Sequence, residues 1–331
     1  MQGSTARLLG RLASSNAVGL AAITVLLCTV FAELAPGFVS PFNLYTLGRN
    51  TAIDLVIGLS MMVVIVTGGL NLAVGSIGVC SAMLGGWLMQ SLGVPIWLSV
   101  VAALAFGAAL GWLNGVLTVR TGASSFVITL ATMSIYFGAM IVLTRADSFN
   151  ELPTAFTALG KLRLWSVVWI GVLVALGASL LLGVLYRLTA LGRQMLAVGA
   201  NLKAAELSGV PTGKVIIACH ALSGALAALA ALMLTVRNGA ALPSMAGHIG
   251  VDWLLPAFLA PVLGGTALTG GAVSVIGTVL GALLVSVISN GLFLLKVGEF
   301  WVQLFLGLIL LAAVLLDRAR AVLSARRPAL A

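Results

Sequence analysis

Apolar runs of about twenty residues follow one another along almost the whole chain, divided by short polar breaks. A helix of ~20 apolar residues is what crosses the hydrocarbon core of a bilayer. The backbone of such a run must satisfy its own hydrogen bonds, which a helix does. Charge supports the same conclusion. Only 8% of the 331 residues are charged, against about 25% in a soluble domain, too few to cover a water-facing surface of this size. A transmembrane barrel would show alternating segments of about ten residues, and the runs do not alternate. The expected fold class is all-α: a polytopic membrane protein, read as one transmembrane domain over 1–331.

Ten spans are expected, near 16–35, 51–67, 71–90, 95–117, 125–144, 166–186, 215–236, 251–267, 272–295 and 300–317. Arg7 and Arg11 precede the first. That run is long enough to span and more spans follow, so it reads as an uncleaved helix rather than a signal peptide. With the N-terminus inside, eleven of the seventeen Lys and Arg residues fall in inner loops: Arg7, Arg11, Arg120, Arg187, Arg193, Lys203, Lys214, Arg318, Arg320, Arg326 and Arg327. This bias places both termini in the cytoplasm. The net charge of +9 therefore reads as orientation signal, and no nucleic-acid partner is expected.

Two stretches interrupt closely spaced spans: "GGLNLAVGSIGVCSAMLGG" from Gly68 and "GGTALTGGAVSVIGTVLGA" from Gly264. Aligned end to end, seven of nineteen positions are identical, among them Gly68 with Gly264, Gly69 with Gly265, Leu72 with Leu268 and Gly75 with Gly271. The spans that follow are six apart, so both copies run in the same direction, as in parallel pseudo-repeats of transporters. Paired glycines loosen a helix and let backbones approach. Irregular backbone at membrane depth is tolerated only inside protein or along a wet cavity. Each stretch is therefore expected in the bundle interior, as pathway lining or hinge, or as plain close packing.

The longest inner loop, 187–214, holds "AVGANLKAAELSGV", which reads as a short helix capped by Asn201 and ended by Gly209 and Pro211. It suits either docking on a partner or a solvated connection.

Four motifs carry a family resemblance. "GGLNLAVGS" resembles the GGxDLSVGS signature of ribose-type permeases of bacterial ABC importers, and "LGRQMLAVGANLKAAELSGV" resembles their cytoplasmic loop GRxxxAxGxNxxAAxxSG. "PVLGGTALTGGAVSVIGTVLGALLVSVISNGL" resembles VVLGGxSLxGGxGSxxGTxxGA, and "SSFVITLATMSI" resembles PPFIxTLGTMSI. The resemblance implies a bacterial inner-membrane subunit working as a dimer with a second copy or paralogue. An extracytoplasmic solute-binding protein would deliver a monosaccharide or related polar solute, and cytoplasmic ATP-binding subunits would drive transport. ATP and Mg would sit on those subunits, with no cofactor or metal on this chain. Coupling to the ATPase would fall to Gly192, Arg193, Ala197, Gly199, Asn201, Ala204, Ala205, Ser208 and Gly209. The pathway or hinge would be formed by Gly68, Gly69, Asn71, Leu72, Gly75, Ser76, Gly264, Gly265, Gly270 and Gly271.

Two departures bear on the substrate. Asn71 stands at the signature's aspartate, and Leu254 where the family often has an acid. Pro256 and Pro261 are expected to kink the eighth span. Asp54, about one turn into the second span, either faces a pore or pairs with Arg49 near the interface, and the pairing is the expected arrangement. His248 and Asp252 are four apart without a third ligand and read as an outer-loop feature; Trp87, Trp97, Trp165, Trp169 and Trp301 read as an interfacial belt. No Walker-type loop or catalytic grouping is found, so the chain reads as a transport subunit rather than an enzyme. An ATP-independent secondary transporter, or a permease for a nucleoside or signalling molecule, are the rival readings.

Overall fold

The computed structural model describes residues 16–164 and 168–325, so Arg7, Arg11, Trp165, Arg326 and Arg327 lie outside it. The helices are α1 (Asn16–Leu34), α2 (Pro41–Ile65), α3 (Val74–Gln90), α4 (Ile96–Thr121), α5 (Ser125–Thr144), a short α6 (Thr154–Ala158) and α7 (Ile170–Leu188). There follow α8 (Ala190–Ala200), α9 (Leu202–Leu207), α10 (Thr212–Asn238), a 3-10 turn (His248–Trp253), α11 (Leu254–Leu263), α12 (Val275–Leu294) and α13 (Glu299–Ala325). A two-stranded hairpin, β1 (Arg163–Leu164) with β2 (Val168–Trp169), precedes α7. Seven helices are long and apolar enough to cross a membrane (α1, α2, α4, α5, α7, α10 and α12), and three shorter apolar ones occupy Val74–Gln90, His248–Leu263 and Phe300–Leu315. Together they fill the ten expected places of a polytopic all-α membrane protein.

Helix α2 is the axis of the bundle. From Leu55 to Val66 every side chain is buried, packed by α7, α10, α11 and α12. The outward faces of α5 and α7 are apolar, with Val142, Leu143, Leu180 and Leu181 more than two-thirds exposed. Lipid is the solvent that such a surface needs. The tightest packing joins α4 to α10. A Cβ placed on Gly107 would come within 2.6 Å of the Gly224 carbonyl, one on Gly111 would overlap the His220 carbonyl, and one on Gly115 would lie 2.7 Å from Ile217 Cα. Glycines at i, i+4 and i+8 thus form a flat strip against which the second helix lies backbone to backbone.

Several expectations are corrected. The second span starts ten residues earlier than its hydropathy suggests, at Pro41, because Ser40 Oγ caps the amide of Asn43 and proline at the first turn loses no hydrogen bond. The eighth span is preceded by a break at Ile249 and Gly250, both at positive φ, and its helix ends at Leu263, before the expected boundary. Pro256 lies in the first turn of α11, where amides have no helical partner, and Pro261 lies two residues before the helix ends. Trp169 is not part of a belt: it is buried and its Nε1 donates to Leu159 O at 3.1 Å, whereas Trp87, Trp97 and Trp301 are exposed. Asp54 does not pair with Arg49. It accepts from Ser286 Oγ at 3.0 Å, and the Arg49 guanidinium lies 5.5 Å from the Tyr45 ring centre.

Candidate functional site

The loop between α7 and α10 holds two helices where the sequence suggests one. Thr189 caps α8 through the amide of Gly192. Asn201 then ends α8 and begins α9, its Oδ1 accepting from the amide of Ala204 at 3.0 Å. Gly209, at positive φ, stops α9. Of the candidate coupling residues, Gly192 and Ala205 are buried and hold the loop to the bundle, while Arg193, Asn201, Ala204, Ser208 and Gly209 are exposed. Leu207, absent from the sequence-based set, is 92% exposed and Leu202 is 45% exposed. An apolar patch at the end of the molecule that carries α8 and α9 is the kind of surface that a partner covers.

The two glycine stretches do the same job. Residues 66–73 carry the chain from α2 into α3, and residues 264–274 carry it from α11 into α12. In the first break the backbone donors find side chains. The amide of Leu70 donates to Ser125 Oγ at 2.9 Å, that of Leu72 to Thr129 Oγ1 at 3.0 Å and that of Ala73 to Asn71 Oδ1 at 3.1 Å. Asn71 is fully buried, and its Nδ2 donates to Ser223 Oγ at 2.9 Å, which in turn shares a hydrogen bond with Ser60 Oγ. Ser60 lies five residues before the end of α2, which is about 7–8 Å up the helix. The break therefore climbs back into the bundle, with the amides of residues 66–70, 72 and 73 hydrogen-bonded, as irregular backbone at this depth requires. Leu72 and Ser76 are buried with it, and Gly75 has no room for a Cβ against the backbone of Gly250. Ser223→Ala should strand Asn71 Nδ2, while Ser60 Oγ keeps its bond to the Ser223 carbonyl. The expected loss is about 1–3 kcal/mol of stability, read as a lower melting temperature of the purified chain in detergent.

In the second break Gly265, Gly270 and Gly271 all take positive φ. A Cβ on Gly264 would lie within 2.5 Å of Thr278 N, and one on Gly281 would overlap the Ala260 carbonyl, so α11 and α12 meet backbone to backbone. Ser274 caps α12 through the amide of Gly277. A cleft of about 900 Å³ between α7 and α12 runs along Ala272, Val273 and Ser274, leaving open space beside this break.

The two breaks and the inner loop converge. The amide of Gly271 donates to the Val66 carbonyl at 2.9 Å. Gly199, at the end of α8, is wedged between the same two groups: a Cβ there would overlap both Val66 O and Gly271 N. One on Gly270 would meet Gly68 N at 2.7 Å and Gly199 Cα at 3.0 Å, and one on Gly271 would meet Ala200 Cα at 2.8 Å. Three segments far apart in sequence thus touch main chain to main chain, and glycine is the residue that permits it. Ala197 lies on the same helix two residues earlier, half-buried, while Gly68 and Gly265 are exposed.

A family model described as "Branched-chain amino acid transport system / permease component" matches residues 43–314. The chain belongs to this permease family. Among curated relatives, the ribose import permease RbsC of Bacillus subtilis is 36% identical over 298 residues, covering 89% of this chain and 90% of its own. The Escherichia coli K12 ribose import permease is 33% identical, covering 91% and 93%. The fructose import permease FrcC of Rhizobium meliloti is 31% identical, covering 92% and 86%. No solved structure matches. The permease is a transport subunit rather than an enzyme. Its junction draws on three of the motifs that carry the resemblance, and the fourth, "SSFVITLATMSI", supplies Ser125 and Thr129, which anchor the first break. Sequence reading of the permease missed Ser60, Ser223 and the Gly107, Gly111, Gly115 strip. The four-residue glycine spacing was the available signal for the strip; nothing local marks the two serines.

Proposed function

We propose that the chain is the membrane-spanning subunit of a binding-protein-dependent ABC importer for a monosaccharide or related polar solute, in a bacterial inner membrane. The observation that carries this reading is the junction of Gly199 with Val66 and Gly271. A push on α8 and α9 reaches both breaks through contacts that have no side chain to absorb it. This is the linkage needed by a subunit that converts partner-domain closure into inward or outward opening. The relatives named for ribose, fructose and autoinducer 2 import support the solute class.

In this reading one permease domain over 1–331 acts with a second copy or a paralogue, surrounded by membrane lipid. An extracytoplasmic binding protein delivers solute, and cytoplasmic ATP-binding subunits dock on α9. ATP and Mg belong to those subunits, and this chain binds no cofactor. Asn71 and Leu254, which depart from the family pattern, suit one member of a heterodimer.

Affinity purification from native membranes in mild detergent tests the reading. The expected result is co-purification of an ATP-binding subunit, lost in Leu207→Glu although the chain still inserts. A chain that purifies alone and moves solute in vesicles without ATP would replace the importer by a secondary transporter.

A further inference from the structure

Asp54 is the fourteenth of the 25 residues of α2 and, among the described residues, the only acidic one lying more than two positions inside any of the seven long apolar helices. A carboxylate at that depth is costly and marks function by default. Its direct protein partner is a single hydroxyl, Ser286 Oγ. About three turns of α2 toward the far end, away from α8 and α9, Asn43 and Asn290 exchange two hydrogen bonds of 2.9 and 3.0 Å, so α2 and α12 are held together on both sides of the intervening stretch. Within that stretch the polar groups of α2 are not served. Asn50 Oδ1, the Thr51 hydroxyl and Arg49 Nε are buried and meet no protein partner. Asn43, Asn50 and Asp54 follow at i, i+7 and i+11, which places them on one face of α2.

Buried polar atoms in proteins almost always find partners, and each one left without costs about 1–3 kcal/mol. Three in consecutive residues at membrane depth imply partners from outside the fold. The set combines acceptors (the carboxylate and an amide oxygen) with a donor (the Arg49 Nε–H) and a hydroxyl that serves as either. We propose that Asn50 and Asp54 form a binding site, between α2 and α12, for the hydroxyl groups of a neutral polyhydroxylated solute entering from the far end. The site deepens the importer reading, which supplies only the direction of entry.

The test is thiol protection in right-side-out vesicles holding the complete complex, with Asn50→Cys as the probe and the parent chain, with its three native cysteines, as background. A membrane-impermeant thiol reagent is added outside, and D-ribose and D-fructose are the protecting solutes. The expected result is labelling above background that one of the sugars slows. The half-protecting concentration should rise about tenfold or more when Asp54→Ala is added, as for loss of a charge-assisted hydrogen bond. Thr51→Cys is the second probe should Asn50→Cys not reach the membrane. Absence of labelling at both probes, labelling that neither sugar slows, or protection unchanged by Asp54→Ala would overturn the site. Protection by a sugar phosphate alone would overturn the neutral ligand. Protection that persists in a chain without an ATP-binding subunit would keep the site and remove the importer.

Discussion

Gly199→Ala should abolish uptake while leaving the transporter assembled. The added methyl group would overlap the Val66 carbonyl and the Gly271 amide, both main-chain groups that cannot rotate aside as a side chain can. Relief requires α8 to withdraw from the breaks or the breaks to part, and either separates the input from what it moves. Overpacking of this kind costs about 1–3 kcal/mol, occasionally more. Because that cost falls on the contact that transmits motion, transport should fall by about a hundredfold. Insertion and co-purification of the ATP-binding subunit should persist, since the exposed face of α9 is untouched. Uptake in reconstituted vesicles, measured beside ATP hydrolysis by the same preparation, checks this. Normal uptake would show that Gly199 is packing alone. Gly177→Ala is the control: its Cβ meets nothing within 4 Å, and alanine in a helix is intrinsically more favourable by about 1 kcal/mol.

Gly111→Val should fail earlier, at folding. Gly111 lies against the His220 carbonyl with Gly224 Cα 3.1 Å from where its Cβ would be, in the middle of the strip that joins α4 to α10. Valine would force the two helices apart along their whole contact and expose backbone that is now packed. The expected loss exceeds about 3 kcal/mol, seen as little monodisperse protein after detergent extraction and a lowered melting temperature in what remains. Gly138→Val, at a helix position open for 4 Å around, should extract normally. The contrast separates the strip from a general intolerance of larger residues in spans.

What the sequence made legible follows from how local each signal is. The fifth span is read to the residue, Ser125–Thr144, because Ser124 caps it at one end and Arg145 takes a left-handed turn at the other. The breaks are legible because glycine pairs interrupt otherwise apolar runs. The start of α2 is not, because Asn43, Arg49 and Asn50 lower its hydropathy while their actual surroundings are Asn290, Tyr45 and the helix interior. Asp54 points to the same lesson: Arg49 is near it in sequence, but Ser286 is near it in space. The junction combines three stretches whose glycines are each recognisable alone. Their meeting depends on how α2, α8 and α12 pack, which no spacing within one stretch encodes. Trp169 shows the opposite failure, a residue type that suits an interface but is held inside by Leu159.

The first break is not uniform along its length. Residues 70–73 are anchored by side chains of α5, by Asn71 and, through Asn71, by α10. Residues 66–69 make turn bonds to the end of α2 and otherwise lean on Gly271 and Gly199. One eight-residue turn is therefore stiff at its α3 end and compliant at its α2 end. Load arriving at Gly199 would be taken up as rotation about Gly68 and Gly69, with α3 left seated. The stiffness of the anchored half is set by two hydroxyls, Ser125 and Thr129, that lie outside the glycine motif. The speed of the motion could thus drift among relatives while the path of the load stays fixed.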